Sequence, residues 1–375
     1  MQFEIESLYL QKIRYILVSM TYNTKLSIIV PVYNVEKYIR DCILSIFRQG
    51  LNETDFEVII VNDGTEDNSM SVISDVISQH KNIIVINQEN QSLSVARNNG
   101  VTIANGEYIF MPDSDDLLVD GSLKPLLDIA IKTKVDLIVA DFIELNDDEI
   151  ECVQGTLSST KDSDILYQEM TGREMYIKYL HPSQCYVWRT LYKKSFLINN
   201  NLSFIPGIRF QDIPFTSECH LLANKCIKTS ILLYIYRQRR DSATFLFDDK
   251  KANDNIIAIA KTWELISKYQ LSGIIKEKLQ NNIFTNLENF SKRIFHLSKD
   301  LNERERFFAY LRQNAPDMYF ANTMKQRFIS YFFWHYPLSY NYTRYYSIKI
   351  FDDRIKRYCQ RICFIINKIT NINKR

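Results

Sequence analysis

Five short apolar runs, separated by segments with helical spacing, constrain the fold of this chain more than any other feature. The runs cover residues 26–32, 56–61, 83–86, 108–111 and 135–139. Between them, apolar residues recur every three or four positions, as they do from Val35 to Ile46. Strands that alternate with helices of this length predict βαβ units. We therefore expect an α/β fold with a mostly parallel, Rossmann-like sheet flanked by helices.

Three of these predicted strands end in polar residues that can bind ligands. Tyr33-Asn34 follows the first strand, Asn62-Asp63-Gly64 the second, and Asp113-Ser114-Asp115-Asp116 the fourth. Ligands of open parallel sheets bind at the carboxyl ends of the strands. We therefore expect the three turns to meet in one site.

The ligand of this site is constrained by what the turns offer and what they lack. The chain has only nine glycines and contains neither G-x-G-x-x-G nor a P-loop, which argues against hydride transfer on a dinucleotide and P-loop phosphoryl transfer. Carboxylates suit a diphosphate only when a hard cation lies between them, and Mg²⁺ or Mn²⁺ takes such oxygen ligands. The candidate metal ligands are Asp113, Asp115 and Asp116. On spacing alone, an Asp-rich helix N-cap explains this run equally well.

Four segments, taken in order, resemble family 2 glycosyltransferases, which have the GT-A fold. They are residues 27–34 (SIIVPVYN), 59–65 (IIVNDGT), 88–98 (QENQSLSVARN) and 106–116 (GEYIFMPDSDD). Residues 26 to about 120 resemble the nucleotide-sugar half of these enzymes. A looser resemblance, through segments 186–194, 209–215 and 236–239, continues to about residue 245.

The resemblance implies a role for individual residues. Asp212 would be the general base, and Asp115 would be the most direct metal ligand in an Asp113-x-Asp115 element. Acceptor contacts would come from Trp188, Gln211 and Arg237. Nucleotide-sugar binding is implied for Pro31, Tyr33, Asn34, Asp63, Asn90, Arg97, Asp113 and Ser114.

Two residues depart from the family pattern. Gln211 stands where glutamate is usual, which removes a charge beside Asp212 and could change acceptor contacts. Ser92 stands where glycine is common, and we expect a tighter loop before Leu93.

The reaction that the resemblance implies is a metal-dependent, inverting transfer. A sugar would move from a nucleotide diphosphate-sugar, commonly a UDP-sugar, to a hydroxyl of a glycan or lipid-linked acceptor in cell-surface polysaccharide biosynthesis. The cofactor would be Mn²⁺ or Mg²⁺. A non-catalytic nucleotide-sugar-binding protein of the same fold is the alternative. A processive synthase would need membrane-spanning helices and a Q-x-x-R-W segment, and this sequence has neither.

The 375 residues suffice for a large catalytic domain and a smaller region. We expect an N-terminal extension over 1–24, a catalytic domain over 25–245, and a helical, basic and aromatic region over 246–375. Within the catalytic domain, residues 25–120 would form the nucleotide-sugar half and residues 121–245 the acceptor half. Residues 321–375 carry eleven Lys/Arg and two Asp/Glu. Such a tail suits a segment lying on an anionic bilayer, and equally a helical cap with solvated charges. The catalytic half contains no stripe of basic residues, which argues against nucleic-acid binding.

Local patterns add three expectations. The seven cysteines are scattered and form no C-x-x-C, and no apolar run is long enough to span a membrane. These features predict a cytoplasmic protein. If the tail binds lipid, the protein would be peripheral at the inner face of the plasma membrane. Thr171 and Glu174 fit a capping box that opens a helix through Tyr179. The acidic run at 146–149 is interpreted as a solvated loop.

Overall fold

A computed structural model describes most of the catalytic part of the chain and three helices beyond it. The described residues are 24–153, 165–180, 185–239, 248–297, 301–315 and 318. The chain divides into two compact units between residues 246 and 247. The expectations for residues 1–23 and for the basic tail beyond residue 318 lie outside the described residues.

The first four strands form the parallel part of the sheet that the apolar runs predict. They are β1 (Leu26–Val32), β2 (Phe56–Asp63), β3 (Ile83–Gln88) and β4 (Tyr108–Phe110), in the spatial order β3-β2-β1-β4. Every residue of β1 is buried, because helices cover both faces of the sheet. The carboxyl ends of these strands therefore lie along one edge, as the sequence predicts.

Helices connect these strands and pack their apolar stripes on the sheet. They are α1 (Ile39–Phe47), α2 (Ser74–Gln79) and α3 (Leu93–Ile103). Close packing depends on small residues. A Cβ at Gly106 would lie 2.3 Å from the backbone nitrogen of Ser27, so a larger residue would push β1 away from the segment that enters β4.

The second half of the unit makes the sheet mixed. In the described residues, nine strands form one sheet, which continues as β8 (Thr190–Lys193), β6 (Leu137–Leu145), β9 (Cys226–Arg237) and β5 (Leu117–Leu118), with β7 (Tyr167–Met170) paired to β9. β8 runs antiparallel to both β4 and β6, whereas β6 and β9 are parallel. The expectation of a mostly parallel sheet therefore applies to the N-terminal half.

Helices in this half include one that the sequence interpretation missed. They are α4 (Leu123–Thr133), α5 (Asp147–Val153), α6 (Gly172–Tyr179), α7 (Lys194–Asn199) and α8 (Asp212–Leu222). The interpretation of the acidic run as a solvated loop was wrong. Asn146 and Glu149 exchange side-chain and backbone hydrogen bonds and start α5. The capping box of Thr171 and Glu174 is confirmed at the start of α6.

The second unit is helical in its described residues, as the spacing of apolar residues predicts. It contains α9 (Asp249–Lys268), α10 (Gly273–Leu297) and α11 (Leu301–Asn314). Ile256 and Ile259 of α9 are buried. In the described parts of the chain, no helix is both long and apolar enough to cross a membrane.

Candidate active site

The carboxyl ends of β1, β2 and β4 bring the three polar turns to one edge of the sheet. The adjacent pairing of these strands makes the turns neighbours although they are far apart in sequence. On the first turn, Pro31 is buried and Tyr33 is 41% exposed. Asn34 is exposed, and its side-chain oxygen accepts hydrogen bonds from Thr65 and from the backbone of Glu66. Asn34 therefore joins the first turn to the second.

Asp63 anchors the loop between β3 and α3. The residue is 3% exposed. One carboxylate oxygen accepts hydrogen bonds from Gln88 Nε2 at 2.7 Å and the backbone of Gln91 at 2.8 Å, and the other accepts from the backbone of Ser92 at 3.1 Å. The same loop carries Asn90, which is exposed. Asp63 thus holds in place the loop that carries Asn90.

Asp67 is a further part of this edge that the sequence interpretation did not single out. Its carboxylate accepts hydrogen bonds from Thr65, from the hydroxyl and backbone of Ser69, and from the backbone of Glu36. Partial burial opposes ionisation, but these hydrogen bonds together lower the pKa of Asp67 to about 2. The Asp-x-Ser spacing is typical of such a local turn and was the available signal.

Ser92, the residue that stands where glycine is common, adopts a backbone conformation that favours glycine. Its φ is +94°. The Ser92 hydroxyl accepts a hydrogen bond from the backbone nitrogen of Gly207 at 3.2 Å. Ser94, in the first turn of α3, donates a hydrogen bond to the carbonyl of Ile208 at 3.4 Å. These bonds tie the start of α3 to the segment that leads into α8.

The third turn gathers three carboxylates in one cluster. Ligand oxygens of Asp113, Asp115 and Asp116 all lie within 4.8 Å of one another. The side chains of Asp113 and Asp115 are 31% and 26% exposed, whereas Asp116 is 2% exposed. Ser114 is buried between them. Oxygen ligands at this spacing, with two of the three reachable from solvent, fit a hard divalent cation.

Each carboxylate of the cluster has a different partner. Asp113 forms an ion pair with Arg97, and Asp115 forms one with Arg239. Asp116 accepts hydrogen bonds from the Tyr234 hydroxyl at 2.9 Å and from the backbone of Arg237 at 2.8 Å. Because both oxygens of Asp116 are bonded to β9, this residue secures the turn to the sheet.

Burial and mutual repulsion favour protonation in this cluster. Partial burial raises the pKa of Asp113 to about 6, against the opposing charge of Arg97. Burial raises the pKa of Asp116 well above its usual range, and the charges of Asp115 and Asp113 add to the shift. Asp113 and Asp116 are therefore costly to ionise together without a nearby cation.

Asp212 lies within electrostatic range of Arg97. It is the first residue of α8 and is partly buried. This burial raises the pKa of Asp212 to about 6, while the charge of Arg97 lowers it and that of Asp113 raises it. Arg97 is 2% exposed and lies over the Phe204 ring, with its Cζ 5.4 Å from the centroid. One buried arginine thus acts electrostatically on both Asp113 and Asp212.

The three residues that the resemblance assigns to the acceptor lie in different surroundings. Trp188 is 3% exposed and is stacked on Tyr186 at 4.6 Å and on Tyr234 at 4.2 Å. Arg237 lies at the carboxylate cluster, where its Nε donates to the carbonyl of Asp115 at 3.0 Å. Gln211 is 4% exposed, and among the described residues its side-chain oxygen has no hydrogen-bond partner.

Tyr186 lies at one end of this stack and is half-buried, as is Tyr236, which also stacks on Trp188 at 5.5 Å. Tyr234 is fully buried. The neighbouring carbonyl of Cys185 accepts a hydrogen bond from Thr216 of α8 at 3.0 Å. The charge of Asp212 contributes to the raised pKa of Tyr186, behind burial and the charges of Tyr236 and Glu144. Tyr186 therefore lies beside the helix that begins with Asp212.

Known proteins share both this sequence pattern and this architecture. A family model described as glycosyl transferase family 2 matches residues 27–196. The chain is 36% identical over 260 residues to the uncharacterized glycosyltransferase EpsJ of Bacillus subtilis, and the match covers 68% of this chain and 73% of EpsJ.

Solved structures match the fold. A crystal structure of Staphylococcus aureus TarS residues 1–349 in complex with UDP-GlcNAc superposes with a TM-score of 0.58 at 20% identity, over 77% of this chain and 82% of TarS. The mannosyltransferase PcManGT of Pyrobaculum calidifontis, in complex with GDP-Man and Mn²⁺, matches with a TM-score of 0.50 at 12% identity, over 89% of this chain and 93% of that protein. Identities this low establish the fold alone.

The extent of the EpsJ match, together with the family model, settles the family, and the TarS architecture shows the fold. This chain is a glycosyltransferase of family 2, with the GT-A fold.

Proposed function

We propose that this glycosyltransferase transfers a sugar from a UDP-sugar to a hydroxyl of a glycan or lipid-linked glycan, with inversion and with help from Mn²⁺ or Mg²⁺. The observation that carries the proposal is one partly exposed edge. There, Asp113 and Asp115 are partly exposed, and Asp212 lies close enough for the charges of Asp113 and Arg97 to act on it. The TarS structure contains UDP-GlcNAc and the PcManGT structure contains GDP-Man and Mn²⁺, which supports a nucleotide-sugar donor and a divalent cation.

Asp113 and Asp115 are the residues we assign to the metal. Their carboxylates are partly exposed, whereas both oxygens of Asp116 are bonded to Tyr234 and the backbone of Arg237. We therefore assign Asp116 to positioning the turn. When bound, the divalent cation supplies positive charge that stabilises the departing nucleoside diphosphate.

We assign donor binding to the turn after β1 and to the loop that Asp63 of β2 anchors. Tyr33, Asn34 and Asn90 are exposed there and are proposed to contact the nucleotide, while Pro31 and Asp63 are buried and shape the wall. We assign Arg97 to orienting Asp113 and Asp212, since it is buried and already paired with Asp113. Ser114 would hold the turn between its two acidic neighbours.

Asp212 is proposed to take the proton of the acceptor hydroxyl as that oxygen attacks the anomeric carbon. Its raised pKa of about 6 leaves it ionised at neutral pH and makes it more basic than an ordinary aspartate. A single displacement at one face of the sugar inverts the configuration of the anomeric carbon.

The donor is identified by ligand-dependent melting. With Mn²⁺ present, a UDP-sugar at 100 times its dissociation constant should stabilise the protein by about 2.7 kcal/mol, because only the folded state binds it. GDP- and dTDP-sugars at the same concentration should raise the melting temperature less. The shift should disappear on chelation with EDTA. A larger shift with a GDP-sugar would contradict the UDP part of the proposal, and a shift that survives EDTA would contradict the metal part.

NMR of the transfer product gives its anomeric configuration, and retention of configuration would overturn the inverting step.

On the acceptor side, we propose that Tyr186 contacts the sugar, since Trp188 is buried behind it. A half-buried aromatic ring offers an apolar face and a polar hydroxyl, which suits a sugar ring.

Replacing Tyr186 by alanine should therefore raise the acceptor KM about 3- to 10-fold, the effect of losing one aromatic contact. The dissociation constant of UDP should not change. Tyr167→Ala is the matched control, because Tyr167 is exposed on β7. Wild-type acceptor KM in a Tyr186→Ala variant that melts normally would exclude Tyr186 from the acceptor site.

A further inference from the structure

Arg239 is a cation at the proposed metal site that contacts both an acidic side chain and an aromatic ring. Its guanidinium forms an ion pair with the carboxylate of Asp115. Its Cζ also lies 4.6 Å from the ring centroid of Tyr38, a cation–π contact that Arg237 shares at 5.0 Å. The side chain of Arg239 is 16% exposed. Both carboxylates assigned to the metal therefore already have a positive partner, Arg97 on Asp113 and Arg239 on Asp115.

The partners of the three carboxylates differ in how readily they can move. Arg97, on Asp113, has a side chain that is 3% exposed in the middle of α3. The partners of Asp116 belong to β9 itself, one of them a backbone group. Arg239 lies two residues beyond Arg237, the last residue of β9, and its side chain is more exposed than those of Arg97 and Arg237. Of these partners, Arg239 can leave its carboxylate at the lowest cost.

We propose that Arg239 is an internal counter-ion that neutralises Asp115 in the nucleotide-free protein, competes with the divalent cation for this carboxylate, and moves to the diphosphate of the donor. The proposal rests on the function proposed above. A guanidinium and a divalent cation repel each other at one carboxylate. A diphosphate removes this conflict, because its oxygens accept the planar fork of an arginine while also neutralising the cation.

The consequence is a coupling between cation and nucleotide. Without nucleotide, the cation must displace Arg239 and therefore binds weakly. With nucleotide, the displaced arginine gains a new anionic partner, so each ligand strengthens binding of the other, as linkage requires. The diphosphate also couples the two ligands by binding the cation directly. A merely structural ion pair of Arg239 and Asp115 would add nothing to that coupling, which would then be unchanged in variants of Arg239.

The test is a Mn²⁺ titration followed by EPR of the free ion, with and without UDP, so that it does not depend on turnover. Arg239→Gln removes the charge and keeps a polar side chain. This variant should bind Mn²⁺ alone about tenfold more tightly than the wild type, and UDP should enhance Mn²⁺ binding about tenfold less, within the usual range of coupling energies. Arg239→Lys keeps the charge without the fork. It should bind Mn²⁺ alone as weakly as the wild type but show a reduced enhancement by UDP.

Two controls separate the possible failures. Arg40→Gln breaks an exposed ion pair with Asp75 and should leave both titrations unchanged. Asp115→Asn should bind Mn²⁺ in the presence of UDP only at much higher, millimolar concentrations and should show no binding at the concentrations that saturate the wild type.

If the wild type binds Mn²⁺ with UDP no better than Asp115→Asn does, the proposed function fails and this inference fails with it. If the wild type binds Mn²⁺ with UDP and Asp115→Asn does not, but folded Arg239→Gln matches the wild type in both titrations, only the role of Arg239 is overturned.

Discussion

Replacing Asp212 by asparagine should lower kcat by about 10²- to 10⁴-fold, the usual contribution of a positioned general base. Asparagine keeps the shape of the side chain at the start of α8 but cannot accept the proton of the acceptor hydroxyl. Binding of the UDP-sugar should stay within about twofold of the wild type, since the residues proposed to contact the donor lie at the ends of β1, β2 and β4. Single-turnover rates and UDP titrations measure the two effects separately.

Asp128→Asn is the control for this substitution, because Asp128 is exposed on α4 and pairs only with Lys124 in the described contacts. It should leave kcat unchanged. Wild-type turnover in Asp212→Asn would remove Asp212 from the role of base. Loss of UDP binding in the same variant would instead indicate that Asp212 supports the donor site.

The same residue sets the expected pH dependence. Burial raises the pKa of Asp212 to about 6, and only the ionised carboxylate can act as a base, so kcat/KM should fall as the pH drops below about 6 and level off above it. Partial burial also raises the pKa of Asp113 to about 6. The profile should therefore be measured with saturating Mn²⁺, which keeps Asp113 ionised. An acid limb that persists unchanged in the residual activity of Asp212→Asn would belong to another group.

Replacing Asp115 by asparagine should have the second large effect, on both metal binding and rate. Loss of the charge that holds the cation should remove about 4 kcal/mol of stabilisation from the departing diphosphate, which is roughly a 10³-fold fall in kcat/KM. Millimolar Mn²⁺ should restore part of the activity, because asparagine keeps one oxygen ligand. Steady-state rates over a Mn²⁺ series provide the measurement.

Chelation gives the matching result on the unaltered protein. Wild-type protein in EDTA should fall to the activity of Asp115→Asn, and added Mn²⁺ or Mg²⁺ should restore it. Asp120→Asn is the control, since Asp120 is an exposed aspartate paired with Arg48 away from the cluster. Activity that is indifferent to EDTA, combined with a normal rate in Asp115→Asn, would exclude the cation from the reaction.

Several features of the fold could be predicted from local sequence because their causes are local. Continuous apolar runs indicate buried parallel strands, and β1 has the bounds that its run predicts. The strand of residues 135–139 was predicted too short. It continues as β6 to Leu145 because its later residues pair with β9, whose Arg237 lies opposite Leu145. No local pattern announces a partner strand so distant in the chain.

The side-chain partners in the site depend on the same long separations. Arg239 and Asp115 are 124 positions apart, and Tyr234 and Asp116 are 118 apart. Composition around Trp188 does not reveal that Tyr186 and Tyr234 stack on it. For Asp63, the sequence indicates a ligand-facing turn, but the hydrogen bonds to the loop of Gln88 and Ser92 exist only because β2 and β3 are neighbours.

The sequence by itself determined the α/β class, the parallel strands β1 to β4, the gathering of three polar turns at one edge and the family, because hydrophobic periodicity and short motifs are local properties of a chain. Only the tertiary structure decided which carboxylates of the cluster remain partly exposed, which arginine pairs with Asp113 and which with Asp115, and which rings stack on Trp188. Those outcomes depend on side-chain burial and on the distances between charged groups from distant strands. Both are set only when the sheet is assembled.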